Sequence, residues 1–256
     1  MLEFFQDPKV AEQVQYLLHN VPDAIWETIY STVLATFFAY IIGLPLGIIL
    51  VTGEKGGIRP LPSPLMKLLN IIINILRSVP FLILMVVVFP LARVIVGTSI
   101  GTKASIVPLT IAAFPFVARL VEASLREMDG GVIEAAQAMG CSTFQVIWKV
   151  ILPESLPSLL TSFTTAFVTI LGYGAMAGAI GAGGLGSMAL NRGYTRHMMV
   201  VLYVSVIFLV ILVQVFQSLG GHFAAALDRR NRSPKSLTRA ARAHADKNRR
   251  SGDPTL

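Results

Sequence analysis

Hydrophobic residues of this chain gather in long runs that short polar stretches separate. A helix crosses the hydrocarbon core of a bilayer in about 20 residues, and five runs reach that length: 28–52, 68–92, 104–125, 158–181 and 198–221. Prolines and glycines interrupt several runs, which membrane bundles tolerate where neighbouring helices or water satisfy the freed backbone groups. The pattern predicts an all-α integral membrane protein with five transmembrane helices that line a pathway.

The composition excludes a soluble globular protein. Hydrophobic residues make up 54% of the chain and charged residues only 14%, with a mean hydropathy of +0.68, whereas soluble domains carry roughly 25% charged residues. The first residues include early acids and no basic region before an apolar core, so we expect no signal peptide. The single cysteine, Cys141, allows no intrachain disulfide and is expected to be a small packing residue.

Lysine and arginine are distributed unequally between the two sides of the five predicted spans. With alternating sides, the first loop, residues 126–157 and the tail share fourteen Lys and Arg residues, against five on the other side. By the positive-inside rule, the N-terminus lies outside and the C-terminus in the cytoplasm. We therefore expect an external segment over 1–27, a transmembrane domain over 28–221, and a mobile basic tail over 222–256 that attracts anionic lipid head groups. Membrane lipid is an expected partner, and nucleic acid is not.

The polar stretch 126–157 contains the most informative pattern. Val132, Ala135, Ala136 and Met139 follow the i, i+3, i+4, i+7 spacing of a short amphipathic helix. Gly140 suits a left-handed residue that ends it. Ser142 and Gln145 form the pattern of a capping box that starts a return helix. Phe144, Ile147 and Ile151 give that helix its apolar stripe, and Pro153 and Pro157 are expected to end it.

This helix–glycine–helix stretch has two interpretations. It projects from the membrane as a docking surface, or it is an amphipathic hairpin that lies on the bilayer. It carries only two basic residues, Arg126 and Lys149, for contact with lipid head groups. Glu134 either meets a basic residue of a partner or complements the helix dipole.

The predicted spans contain few ionisable residues. Arg119 and Glu122 stand at i, i+3 and are interpreted as a structural pair, and Arg77 precedes Ser78-Val79-Pro80. The absence of a mid-membrane carboxylate from the sequence argues against proton or sodium coupling. The four histidines are scattered, so no metal site is expected.

The sequence has no phosphate-binding loop of the form G-x-x-x-x-G-K-[ST], so we expect no ATP site. Gly181, Gly183 and Gly186 match G-x-G-x-x-G, but they follow an apolar span and no strand. We interpret them as a tight turn at the outer end of the fourth span.

The fourth span packs small residues around one aromatic and one flexible side chain. Gly174 and Gly178 stand at i, i+4 and allow close helix approach. Met176 is flexible and bulky enough to plug a pathway as a gate, or it fills a gap in a packed interface. Tyr173 is a candidate lining residue of the pathway.

Two sets of motifs carry a resemblance to a known family. Glu134, Ala135, Ala136 and Gly140, followed by Val150, Leu152 and Pro153, are similar to the cytoplasmic EAA loop of ABC importer permeases, on which an ATPase docks. Further segments resemble the methionine-type permeases within that family: 70–81, 94–101, 113–119 and 172–186. The similarity covers roughly 25–221.

The resemblance implies a type I importer fold in the bacterial inner membrane. It implies a homodimer with the pathway on its two-fold axis, two cytoplasmic ATPase subunits that bind ATP and Mg, and an external methionine-binding protein or lipoprotein. The chain itself would hold no cofactor and catalyse no reaction. ATP binding would pull the helix at 134–140, the spans would rock, and Met176 of each subunit would separate. An importer of another small solute, and a channel or secondary carrier, remain as alternatives.

Overall fold

The computed structural model describes residues 8–227, and every regular element within them is helical. In chain order, the α-helices are α1 Pro8–Thr52, α2 Ser63–Ser78, α3 Phe81–Val96, α4 Thr102–Arg126, α5 Gly130–Ala138, α6 Thr143–Val146, α7 Leu152–Glu154, α8 Leu156–Ala177, α9 Gly184–Ser187 and α10 Met199–Leu227. A 3₁₀ turn covers Gly178–Ile180, and π-helical turns cover Ile147–Ile151 and Met188–Tyr194. The predicted basic tail falls almost wholly outside the described residues.

Within residues 8–227, four helices are long and apolar enough to cross a membrane, namely α1, α4, α8 and α10. A fifth crossing requires α2 and α3 together, and these two helices are bent by 108° relative to one another. The predicted span over 68–92 therefore corresponds to this bent pair and not to one continuous helix, and it remains a prediction that the pair crosses the membrane once. Pro80 removes an N–H donor, and the residue before it, Val79, is extended at φ −76° and ψ 127°. A residue before proline disfavours the helical region, so the chain breaks here.

Helix α1 is longer than the predicted first span and runs on for 45 residues despite Pro22 and Pro45. Its membrane half packs closely on α4. A Cβ atom at Gly43 would lie 2.7 Å from Cγ1 of Val117, and one at Gly47 would lie 2.6 Å from Cγ1 of Val121. The two glycines therefore let the helix backbones approach, and α4 forms the centre of the bundle.

The main core cluster surrounds α4 and extends to the 126–157 stretch. It includes Val117 and Val121 of α4 together with Ala136, Val146 and Ile151. The 126–157 stretch is thus packed onto one end of the bundle, the end at which α4 finishes, through a few buried side chains. Because α4 leads directly into this stretch, the stretch and the centre of the bundle share one packed core.

Candidate functional site

The predicted helix–glycine–helix is present, and local hydrogen bonds determine its ends. The Asp129 carboxylate accepts a hydrogen bond from the N–H of Gly131 at 2.9 Å and caps α5. At the other end, Gly140 has φ +77°. The N–H of Gly140 donates to the Gln137 carbonyl at 2.9 Å, and the N–H of Cys141 donates to the Ala136 carbonyl at 3.2 Å. These two bonds form a Schellman motif, which confirms Gly140 as the left-handed end of the helix.

The return helix starts as predicted and continues differently. The N–H of Ser142 donates to Oε1 of Gln145 at 2.8 Å, and the Ser142 hydroxyl accepts from the N–H of Gln145 at 3.4 Å. This confirms the capping box. Helical backbone runs without a break from Thr143 through the π-helical turn to Glu154, so the return helix ends one residue after Pro153, and Pro157 does not end it but lies in the first turn of α8. Proline is tolerated there because the first N–H groups of a helix have no intrahelical partner.

The two predicted apolar stripes divide between the core and the outside. On α5, Ala136 is buried, whereas Val132, Ala135 and Met139 are exposed, Met139 to 76%. On the return helix, Ile151 of the predicted stripe is buried and Ile147 is half-buried, whereas Phe144 is 69% exposed. Val146, which was not predicted, is also buried, and the half-buried Val150 and Leu152 pack beside it.

The stretch exposes several apolar side chains among polar ones. We name this surface the coupling face and define it by five exposed side chains: Val132, Ala135, Met139, Phe144 and Trp148. The rings of Phe144 and Trp148 lie 5.9 Å apart between centroids. Glu134 lies in the second turn of α5, and the first turn contains no acidic residue. Because the dipole effect is strongest in the first turn, a contact with a partner is the better interpretation of Glu134.

The fourth predicted span places its candidate gate beside a closely packed loop. Met176 is 51% exposed in the single chain. A Cβ atom at Gly178 would overlap the backbone nitrogen of Ser187, so only glycine fits between α8 and α9. Gly174 is less crowded, with Oγ1 of Thr32 at 4.0 Å. Tyr173 stacks its ring on Phe81 at 4.4 Å between centroids, which ties α8 to the start of α3.

The glycine-rich segment after α8 forms a turn, as the sequence predicted. Gly181, Gly183 and Gly184 all have φ between +69° and +91°. The Glu27 carboxylate accepts a hydrogen bond from the N–H of Gly184 at 2.7 Å, and the Thr28 hydroxyl accepts from the N–H of Leu185 at 2.9 Å. Asn191 completes the arrangement by donating to the Gly178 carbonyl at 3.1 Å. The loop is thereby joined both to α1 and to the segment beside Met176.

The predicted pair in α4 is confirmed and is part of a larger network. Nη1 of Arg119 lies 2.7 Å from Oε2 of Glu122. Arg126 also donates to Glu122 at 2.9 Å and to Glu54 at 2.8 Å. Among the residues that the structure describes, no group of three or more His, Cys, Asp or Glu side chains could hold a metal ion.

Comparison with known proteins agrees with this architecture. Residues 43–233 match the family described as the inner membrane component of binding-protein-dependent transport systems. The chain belongs to this family. The permease is 47% identical over 207 residues to a probable D-methionine transport system permease protein MetI of Vibrio cholerae, a match that covers 81% of this chain and 92% of the relative. It is 45% identical over 169 residues to the D-methionine transport system permease protein MetI of Escherichia coli K12, covering 66% and 76% of the two chains.

Comparison with solved structures also finds ABC transporters. The permease matches an inward-facing MetNI methionine ABC transporter with a TM-score of 0.81 and 43% identity, over 83% of this chain and 98% of that one. An amino acid ABC transporter crystallised with histidines matches with a TM-score of 0.65 at 18% identity, which shows a shared fold.

Several residues that organise the permease were not singled out from the sequence. Asp129 carried a local signal, because an aspartate directly before a helical pattern is a common N-cap. No local sequence signal pointed to Glu27, Thr28 or Asn191, because their hydrogen-bond partners lie in other elements.

Proposed function

We propose that this chain is the membrane permease subunit of an ATP-driven ABC importer that moves methionine into the cytoplasm. The observation that carries the proposal is similarity over nearly the whole length of proteins named for methionine transport. The Vibrio cholerae relative is matched over 92% of its length, and the MetNI permease chain over 98% with a TM-score of 0.81. L-methionine and D-methionine are both candidate substrates.

Energy enters this permease through the coupling face. Its five apolar side chains are held outward on a capped helix pair, and an exposed apolar patch of this kind marks an interaction site. The partner is a cytoplasmic ATPase, two copies of which bind ATP and Mg. Ala136, Val146 and Ile151 anchor the loop in the main core, so displacement of the loop displaces α4.

The working unit is a homodimer with five crossings per subunit, an external N-terminus and a cytoplasmic C-terminus. The bent pair α2–α3 supplies the fifth crossing. Met176 of each subunit faces the two-fold axis and closes the pathway, and its 51% exposure in the single chain leaves it available for that contact. An extracytoplasmic binding protein or lipoprotein delivers methionine. Alternating access then follows from ATP binding and hydrolysis in the partner subunits.

The test of substrate identity is a competition assay on the reconstituted permease, ATPase and binding protein. Uptake of labelled L-methionine is measured with excess L-methionine, D-methionine, leucine, histidine or glutamine. We expect methionine to abolish labelled uptake and the other amino acids to leave it within about twofold. Equal competition by leucine or histidine would show a general amino-acid importer. Uptake that survives omission of the ATPase would show a channel or secondary carrier.

A further inference from the structure

Helix α2 is attached to the rest of the described chain by an unusually small buried apolar surface. Of its sixteen residues, only Ile73 is buried, in a cluster with Leu50 of α1 and Ala118 of α4. The chain also breaks at Val79 and Pro80, so that α2 and α3 point in different directions. Half-buried Met66 packs beside Ile73, and half-buried Leu76 packs on a second cluster between α3 and α4, so the apolar attachment of α2 is small and a second, polar attachment to α4 adds to it.

Polar contacts supply that second attachment. Asn70 and Asn74 lie one turn apart on α2, so their side chains share a face. Nη2 of Arg119 donates to Oδ1 of Asn70 at 2.7 Å and to Oδ1 of Asn74 at 3.0 Å. The Nδ2 group of Asn70 donates to the Met66 carbonyl at 2.9 Å, which turns its oxygen toward Arg119. One guanidinium thus binds two successive turns of α2.

The same guanidinium is oriented from the other side by Glu122. Nη1 of Arg119 lies 2.7 Å from Oε2 of Glu122, whose side chain is 12% exposed. Arg126 binds the other carboxylate oxygen of Glu122 and also reaches Glu54 in the segment between α1 and α2. A planar guanidinium with fixed donors keeps such geometry better than a lysine ammonium does. Hydrogen bonds of this kind are strengthened in a low-dielectric environment.

The position of the network along α4 gives it a mechanical consequence. Arg126 is the last residue of α4, and Asp129, the cap of α5, follows three residues later. A displacement of the coupling face is therefore passed to α4 at the end that carries Arg126, Glu122 and Arg119. Whether α2 follows depends on its attachment to α4.

We propose that Arg119 is a positioning residue that makes α2 move with α4, so that displacement of the coupling face reaches the bent pair α2–α3. This inference rests on the proposed ATP-driven transport, and it assigns to Arg119, Asn70 and Asn74 a role that a local ion pair with Glu122 does not have. A local ion pair would stabilise α4 alone and would leave α2 free to lag behind.

The test removes the acceptors on α2 and leaves the ion pair within α4 in place. In N70L/N74L, leucines of similar size replace both amides. We expect the complex to assemble and to hydrolyse ATP within about twofold of the parent. The methionine transported per ATP falls about tenfold, a factor consistent with the loss of hydrogen bonds to one charged group. R119K retains the charge beside Glu122 and loses the planar guanidinium with its fixed N–H donors. We expect the methionine transported per ATP to fall in R119K as well. T110V on α4 is the matched control. It should keep the parental ratio of methionine transported to ATP hydrolysed, because the Thr110 hydroxyl donates to the Ile106 carbonyl of its own helix.

A second readout does not depend on the transported solute. Cysteines replace Ile73 and Ala118, which lie in one buried cluster, with Cys141 replaced by serine. We expect oxidative cross-linking to proceed at the same rate with and without ATP in the parent, and about tenfold more slowly with ATP in N70L/N74L. Parental cross-linking and a parental ratio of methionine to ATP in both N70L/N74L and R119K would overturn the proposal. A parent that transports no methionine would contradict the proposed function, and slower cross-linking with ATP in N70L/N74L would still support the role of Arg119.

Discussion

Glu27 of the first helix and Gly184 of the loop after α8 are joined by a hydrogen bond of 2.7 Å, in which the carboxylate oxygen accepts from the backbone N–H. The two residues are 157 positions apart in the chain. Their bond determines where the glycine-rich loop lies relative to α1. Since this loop packs against Gly178, the position of the segment beside Met176 depends on it.

Glu27→Leu removes the acceptor for the Gly184 N–H, while Glu27→Gln retains an acceptor oxygen without charge. We expect Glu27→Leu to destabilise the permease by about 1.5–3 kcal/mol, the range for a hydrogen bond to a charged group, and Glu27→Gln to lose less than half of that. Thermal unfolding of the purified permease in detergent measures both. Equal stability of the two variants would show that the bond does not hold the loop.

Gly183→Ala tests the crowding of the same loop. Gly183 has φ +82°, and an added Cβ would press on Thr102 and on Glu27, whose Oε2 would lie 2.8 Å away. Gly56 has nearly the same φ, +86°, with nothing within 4 Å of an added Cβ. Gly56→Ala therefore measures only the left-handed strain, about 1–2 kcal/mol, and Gly183→Ala should cost clearly more. A difference within error between the two melting curves would contradict the close packing at Gly183.

The coupling face is tested by adding bulk where the chain itself is not crowded. Ala135 is exposed on α5, so Ala135→Trp should leave the permease folded and abolish capture of the ATPase in a pull-down. Gly140→Trp should weaken capture too, because it forces a bulky residue into a left-handed position at φ +77°. Gln137→Trp, about 200° around the helix from Ala135, is the control and should retain ATPase. Undiminished capture and transport in Ala135→Trp and Gly140→Trp would show that docking occurs elsewhere.

Met176→Ala separates a gate from a gap-filling side chain. Because Met176 is 51% exposed, truncation should cost well under the 2–5 kcal/mol typical of a buried methionine. We expect near-parental stability and an increased passive leak of methionine from loaded proteoliposomes. Met188, which is buried, supplies the comparison, since Met188→Ala should lower stability strongly. A loss of stability without leak in Met176→Ala would assign Met176 to packing.

Local signals predicted local structure well. Gly140, Ser142 and Gln145 determine backbone ends within a few residues of themselves, and all three are confirmed. The apolar stripe of the return helix was predicted in part, since Ile147 and Ile151 pack on the core and Phe144 is exposed. A π-helical turn covers Ile147–Ile151, and the burial of Val146 together with Ile151, five residues apart, does not follow from α-helical spacing.

Contacts between distant segments could not be read from one sequence. Arg119 was expected to pair with Glu122 three residues away, and it does, but its two partners on α2 lie 49 and 45 residues away. Pro80 is a local signal for the break between α2 and α3. The angle of 108° between these two helices depends on how they pack, which the signal does not give. Helix existence and the ends set by local capping residues therefore followed from pattern, whereas the start of α1 and the arrangement of the helices did not.

Accumulation of labelled methionine in proteoliposomes tests the central claim most directly. The permease, its ATPase and its binding protein are reconstituted, with ATP supplied on the ATPase side. We predict methionine inside at a concentration above that outside, and no accumulation when ATP, the ATPase or the binding protein is omitted. Methionine that only equilibrates across the membrane, at a rate independent of ATP, would contradict an ATP-driven importer.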